Sequence, residues 1–298
     1  MMFGIDFNVV SAIVRKDLRQ YLGNPTGYVF LTLFIATTAA AAFMQEGFFA
    51  RNLADLAELN KLMPAILMFF VPAVTMGAWA DERRGGTDEI LLTSPVRDGE
   101  VVLGKYLGVL GMFTVSLGFS VAHVAVLAYL GDPDPGLMVS TYLGYWMMGA
   151  LFCAVGLVAS MFTTNATVAF ILGALGCAGL VFAGSEPWAA GMLGTAILGL
   201  LFALGWFVVR SGDIAGAAFA GGLGAVVGLA FWLPSLLPWL HEEGGDNRFV
   251  DAFESLAVDA HFASFGEGIV RLGDVIYFAG GASVLLYLCA FLLGRRHW

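Results

Sequence analysis

Trp79–Lys105 reads W-A-D-E-R-R-G-G-T-D-E-I-L-L-T-S-P-V-R-D-G-E-V-V-L-G-K, a charge-dense stretch between two apolar ones. Leu62–Ala80 carries no charged side chain before the acidic and basic run begins, and Tyr106–Gly131 carries none after it. A bilayer core of about 30 Å takes roughly 20 apolar residues of helix to cross. The stretch is therefore expected to be a loop, residues 81–105, joining two membrane spans. It holds four of the fourteen Lys/Arg and hides an apolar triplet, Ile90-Leu91-Leu92, within its charges. That pattern suits a docking element for a soluble partner, the alternative being a helix lying flat on the bilayer.

Outward from that loop the same alternation recurs. The 298 residues are 59% hydrophobic and 12% charged, against about 25% charged in soluble domains. The runs do not alternate as strands of a barrel would, so the class is all-α, a polytopic transmembrane helical bundle. Uncharged runs mark about eight spans: Tyr28–Gln45, Leu62–Ala80, Tyr106–Leu130, Leu137–Phe162, Ala166–Gly184, Ala189–Val209, Ile214–Trp232 and Val275–Gly294. The uncharged stretch Pro135–Ser185, too long for one crossing, is divided at Thr163-Thr164-Asn165. The glycine-rich 189–232 region reads as two crossings, with a re-entrant hairpin as the other reading. With the N-terminus inside, the inner segments hold ten Lys/Arg and the outer ones four. This asymmetry sets both termini in the cytoplasm. The net charge of −9 excludes a phosphate-binding surface for nucleic acid.

Two interfacial helices are expected. Across 9–22, Val10, Ile13, Val14, Leu18, Tyr21 and Leu22 recur at helical spacing with Arg15, Lys16 and Arg19 between them. Such a basic amphipathic helix lies along an anionic leaflet, and Asn24-Pro25 ends it as an elbow before the first span. In the acidic outer loop 241–274, Phe249–Phe262 has the same period, with Asp251, Glu254 and Asp259 toward water. Inside the central loop, Thr87 suits an N-cap, Asp88 and Glu89 suit a first turn, and Pro95 ends the short helix.

No catalytic constellation emerges. Gly99-Glu-Val-Val-Leu-Gly104-Lys105 fits the opening of a phosphate-binding loop, but Tyr106 stands where Ser/Thr should hold Mg²⁺ and no strand precedes it. No metal or cofactor site is expected. His123, His241, His261 and His297 lack metal-ligand spacing, and Cys153, Cys177 and Cys289 read as buried small hydrophobes. No cleavable leader is expected. His123 falls within a span, which makes it a candidate for the translocation path, against the plainer reading of a neutral ring bonded to a neighbouring helix. The absence of mid-span carboxylates argues against a proton relay.

These residues also resemble a known family. Arg15-Lys16-Asp17-Leu18-Arg19 through Asn24-Pro25-Thr26-Gly27-Tyr28 is similar to the start of type-2 ABC (ABC-2) permeases, in the gliding-motility and nitrous-oxide-reductase-maturation branch. Glu82-Arg83-Arg84-Gly85-Gly86-Thr87-Asp88-Glu89-Ile90-Leu91-Leu92-Thr93-Ser94-Pro95 resembles that family's inner loop, and Gly104-Lys105 its following span. His261-Phe262, Gly268–Phe278 and Arg295-Arg296-His297-Trp298 resemble its C-terminal end. The resemblance implies a single transmembrane domain of six spans, to which 186–239 adds two. It implies that Thr87–Pro95 is a coupling helix seated in a separate ATPase chain, which binds the ATP and Mg²⁺. Arg83, Arg84, Thr87, Glu89, Ile90, Leu91, Leu92 and Pro95 would make the contact. It further implies a second permease chain, residence in a bacterial inner membrane, and export driven by ATP. A scaffold or force-transmitting subunit that moves no solute is the alternative.

Overall fold

The computed structural model describes residues 6–44, 55–86, 96–210, 214–232 and 248–294. They form thirteen helices and, among the described residues, no strand. In chain order these are α1 (Phe7–Leu22), α2 (Pro25–Phe43), α3 (Ala57–Thr75), α4 (Gly77–Gly85), α5 (Asp98–Ser120), α6 (Ala122–Leu130), α7 (Pro135–Met161), α8 (Ala166–Phe182), α9 (Pro187–Val209), α10 (Ile214–Trp232), α11 (Arg248–Glu254), α12 (Val258–Gly266) and α13 (Leu272–Gly294). The chain is a polytopic helical bundle. Among the described residues, five helical stretches are long and apolar enough to cross a membrane: Ala57–Gly85, Asp98–Leu130, Pro135–Met161, Ala189–Val209 and Leu272–Gly294. The α1–α2 pair meets the same measure only when its two helices are taken together, and it is bent by 75° at its break. Two further apolar helices, Ala166–Phe182 and Ala215–Phe231, are shorter.

The chain divides into two compact units, residues 1–177 with 261–298, and residues 178–260. In the larger unit α7 is the central post, packed against α13, α3 and α5. Small residues let its neighbours come close. A Cβ at Gly156 would fall 2.0 Å from Thr75 Oγ1, and one at Gly149 2.1 Å from the Phe113 ring. The buried face of α7 includes Tyr145, Met148, Phe152 and Leu157, all fully enclosed. In the second unit α9 and α10 lie against one another through glycine. A Cβ at Gly228 would meet Thr195 Cα at 2.7 Å, and one at Gly224 the Leu198 carbonyl at 2.8 Å. Val250, Ala257 and Phe253 complete a small apolar cluster there with Ala183, Ala190 and Leu193.

Three elements differ from their sequence expectation. The charged stretch is not a loop from its first acid: α4 stays helical to Gly85, and α5 begins at Asp98. Of that stretch 87–95, with its expected short helix, lies outside the described residues. The third expected span lies within the single stretch Asp98–Leu130 but is interrupted by a turn at Val121, between α5 and α6. The single amphipathic helix expected over Phe249–Phe262 is also two, α11 and α12, separated near Ser255–Ala257. Asp6 caps α1, its Oδ1 accepting from Asn8 N at 2.9 Å. Gly23 closes α1 and α2 starts at Pro25, the two helices bent by 75° at the break.

Candidate functional site: a clamped stem on either side of residues 87–95

The α3 helix contains Pro64 and Pro72 and stops at Thr75. A helix start leaves backbone donors unpaired, and here a side chain from α7 takes them. Ser160, fully buried, accepts from Trp79 N at 2.9 Å and Ala80 N at 3.2 Å, and its hydroxyl donates to Met76 O at 3.0 Å. The break between α3 and α4 is thus spliced by the end of the central post.

α4 is then held on two sides. Lys105, on α5, is 2% exposed, a burial that an ammonium tolerates only with partners. Its Nζ lies 2.8 Å from Glu82 Oε2 and donates to Ala78 O at 2.7 Å, above the Trp79 ring at 4.9 Å from the centroid. Glu82 does not serve Lys105 alone. Its Oε1 receives Lys16 Nζ from α1 at 2.7 Å. One carboxylate therefore joins α4, α5 and the elbow helix. Arg83 turns inward and donates to Met161 O at the end of α7. Arg84 stays out, 75% exposed and 3.6 Å from Asp81. Gly86, with φ +67°, ends α4 in the left-handed conformation glycine adopts without strain.

The far bank has a matching tie. Glu100, in the first turn of α5, accepts from Arg97 N at 3.1 Å and from Asp6 N at 2.9 Å. Asp6 is the N-cap of α1, so the elbow helix is tied to both banks of residues 87–95. Between those ties α1 lies flush on α5. A Cβ at Gly104 would sit 2.8 Å from Ile13, one at Gly108 2.9 Å from Asp17, and one at Gly111 3.2 Å from Leu18. Gly104-x-x-x-Gly108, a spacing that lets helices pack closely, receives α1.

Of the residues singled out from sequence, Thr87, Glu89, Ile90, Leu91, Leu92 and Pro95 lie outside the described residues. Arg83 and Arg84 stand at the end of α4 with opposite orientations. Lys16 is drawn into the clamp, whereas Arg15 and Arg19 remain on the exposed face of α1. His123 is 4% exposed on α6, with its ring 5.9 Å from that of Phe43 and the Ile35 backbone close by. Neither of its nitrogens makes a hydrogen bond of normal geometry among the described residues. Glu82, Lys105, Glu100 and Ser160 were not singled out, although Glu82 and Lys105 stand inside the motifs quoted above.

A second polar cluster sits at the other end of α7. His261 Nδ1 is 2.8 Å from Asp274 Oδ1, the Ser264 hydroxyl donates to Asp274 Oδ2, and the His261 ring stacks on Tyr277 at 3.9 Å. Ser140 donates to Phe265 O at 2.7 Å, and Tyr145 donates to the Asn60 side chain. These contacts fasten α12 to α13 and to the start of α7.

The described residues thus form a polytopic membrane bundle with a firmly anchored, charged stem. Comparison with known proteins makes the class specific. Residues 11–204 match the model of the ABC-2 family transporter proteins, and the chain belongs to that family. It is 30% identical over 159 residues to a protein of Pseudomonas aeruginosa named probable ABC transporter permease protein NosY, covering 49% of this chain and 57% of that one. It is also 30% identical over 172 residues to the protein of the same name from Stutzerimonas stutzeri, covering 54% and 59%. The alignments thus span less than three-fifths of either relative.

Proposed function

We propose that the chain is the membrane-spanning permease subunit of an ATP-driven ABC exporter, with ATP hydrolysed by a separate ATPase that grips residues 87–95. The observation that carries this reading is the anchoring of both banks of that segment. A handle that takes load from a motor needs rigid attachments, and α4 and α5 are tied to each other and to α1 through Glu82, Lys105, Lys16 and Glu100. Ile90, Leu91 and Leu92 then supply the apolar knob, Arg84, Thr87 and Glu89 its polar frame, and Pro95 its end. Motion of the stem would pass to α5 and α7 as rigid bodies. The relatives' names, which call them ABC transporter permeases, point the same way.

The functional unit in this proposal pairs two permease chains with two ATPases. An apolar groove of about 660 Å³ between α2 and α3, lined by Phe30, Leu33, Ile66, Phe69, Phe70 and Phe170, gives a second chain a face to cover. The Lys/Arg asymmetry sets the termini and residues 87–95 on the cytoplasmic side of a bacterial inner membrane. The test is Leu91→Asp in the full chain, assembled with the ATPase that copurifies with it. Loss of ATPase stimulation by more than about tenfold is expected, since a buried carboxylate at an interface core costs well over 1.4 kcal/mol. The variant should remain folded in the membrane, and stimulation equal to the wild type would overturn the docking role.

A further inference from the structure

The three cations of α1 do different jobs. Lys16 is held by Glu82 at 2.7 Å. Arg15 and Arg19, four residues apart and so on one helix face, are exposed and make no ion pair among the described residues. They rim a groove of about 810 Å³ whose walls, Ser11 apart, are otherwise apolar: Val10, Val14, Leu18 and Leu22 of α1, with Leu107 of α5. Phe7, 75% exposed, stands at its end.

We propose that this groove is a binding site for one anionic phospholipid, with the phosphate held between Arg15 and Arg19 and an acyl chain laid along the apolar floor. Two features fix the occupant. The first is charge: paired guanidiniums form a fork that matches phosphate oxygens bidentately, and the floor below them offers a lipid tail what it offers no free ion. The second is position. α1 meets the following apolar helix at 75°, so an α2 that enters the bilayer leaves α1 along its surface, with Arg15 and Arg19 at headgroup level. The close seating of α1 on Gly104, Gly108 and Gly111 keeps the floor continuous with Leu107. Unlike a diffuse basic surface, which attracts any anionic leaflet, this site has a defined stoichiometry and two named ligands.

The experiment is lipid titration of the full chain, delipidated in detergent and read by native mass spectrometry. Phosphatidylglycerol is expected to bind once above the background seen with phosphatidylcholine. Arg15→Gln with Arg19→Gln should weaken that single event by about thirtyfold, from ~1 kcal/mol for each basic residue at an anionic surface. Arg271→Gln, a cation removed from the opposite end of the bundle, should leave it unchanged. Leu107→Gln should weaken phosphatidylglycerol, and soluble glycerol phosphate should not compete. Equal binding of the two lipids, an unaffected double variant, an equal loss in Arg271→Gln, an unaffected Leu107→Gln or competition by glycerol phosphate would each overturn the site. So would a dimer of the wild type that the double variant dissociates, since a second copy would then be the occupant. None of these outcomes depends on an ATPase, so the lipid site and the docking role stand or fall separately.

Discussion

Ser160 and Ser140 stand twenty residues apart on α7, about 30 Å along a helix, and each end of that post carries a polar cluster built on one shared carboxylate. Around Ser160, Glu82 serves two lysines that lie 66 residues before it and 23 after it. Around Ser140, Asp274 serves His261 and Ser264, only 13 and 10 residues away. The long-range ties at that second end are neutral hydrogen bonds, Ser140 to Phe265 O and Tyr145 to Asn60. Charge therefore joins helices distant in sequence at one end and two consecutive helices at the other. A local tie fixes where a short helix sits. A tie across the sequence makes separate helices move together, and it is placed where the chain leaves the bundle for residues 87–95.

The largest expected effect comes from breaking the charged clamp at its centre. Glu82→Leu leaves Lys105, 2% exposed, with Ala78 O, the Trp79 face and the charge of the nearby Asp17 carboxylate, none of them a direct ion pair. Removing one partner of a buried pair costs about 3–5 kcal/mol, seen as a marked drop in the thermal unfolding midpoint in detergent. If the loss arises from an uncompensated charge, adding Lys105→Met to Glu82→Leu should restore most of it, because an apolar replacement of a whole buried pair is often nearly neutral. A double variant as unstable as the single one would show that shape, not charge, matters at this end.

Next in size is the seating of the elbow. Gly108→Leu must displace Asp17, whose Cβ would stand 2.9 Å from the new Cβ. Overpacking of this kind costs about 1–3 kcal/mol. Since the strain is relieved by lifting α1, amide exchange should rise over Phe7–Leu22 more than over α7. Uniform exchange would mean the elbow is not a separable part. At the opposite end, Asp274→Asn keeps an acceptor for Ser264 and removes only the charge facing His261. The expected loss is about 1 kcal/mol, the difference between a charge-assisted and a neutral hydrogen bond. It should be confined to faster exchange in α12. A loss as large as that of Glu82→Leu would erase the distinction between the two ends.

Much of this was legible in the residues, and the illegible part has a physical reason. As far as they are described, six of the eight uncharged runs fall on one helix each and two, Leu62–Ala80 and Tyr106–Leu130, on two consecutive helices, because lack of charge over about 20 residues reflects the solvent the segment meets. The elbow was readable from its period and from Asn24-Pro25. The clamp was not, because charge was used to mark where spans end. Glu82 and Lys105 neutralise each other, so both stay helical and Lys105 is buried, and a rule that equates charge with exposure counts them as loop. Ser160 gave no signal at all, since a buried serine at the end of an apolar helix looks like any other until the amides of Trp79 and Ala80 are placed beside it. The split of Phe249–Phe262 into α11 and α12 escaped for a simpler reason: the apolar period continues across Ser255–Ala257 although the helix does not.

The smallest expected effect on stability is also the sharpest test of the comparison. Lys16 is 55% exposed at its side chain, and an exposed ion pair contributes about 0–1 kcal/mol. Lys16→Gln should therefore hardly move the unfolding midpoint, because Glu82 keeps Lys105 and α4 stays clamped to α5. What the substitution removes is the tie from the elbow to the near bank of residues 87–95, the far tie at Glu100 and Asp6 remaining. If the elbow is a working part of the stem, ATPase stimulation by the assembled complex should fall several-fold in Lys16→Gln and recover in Lys16→Arg, which restores the charge. Stimulation that follows stability rather than charge, unchanged in both variants, would reduce the near tie to ornament and leave Glu82 and Lys105 as a purely structural pair, no different in kind from His261 and Asp274.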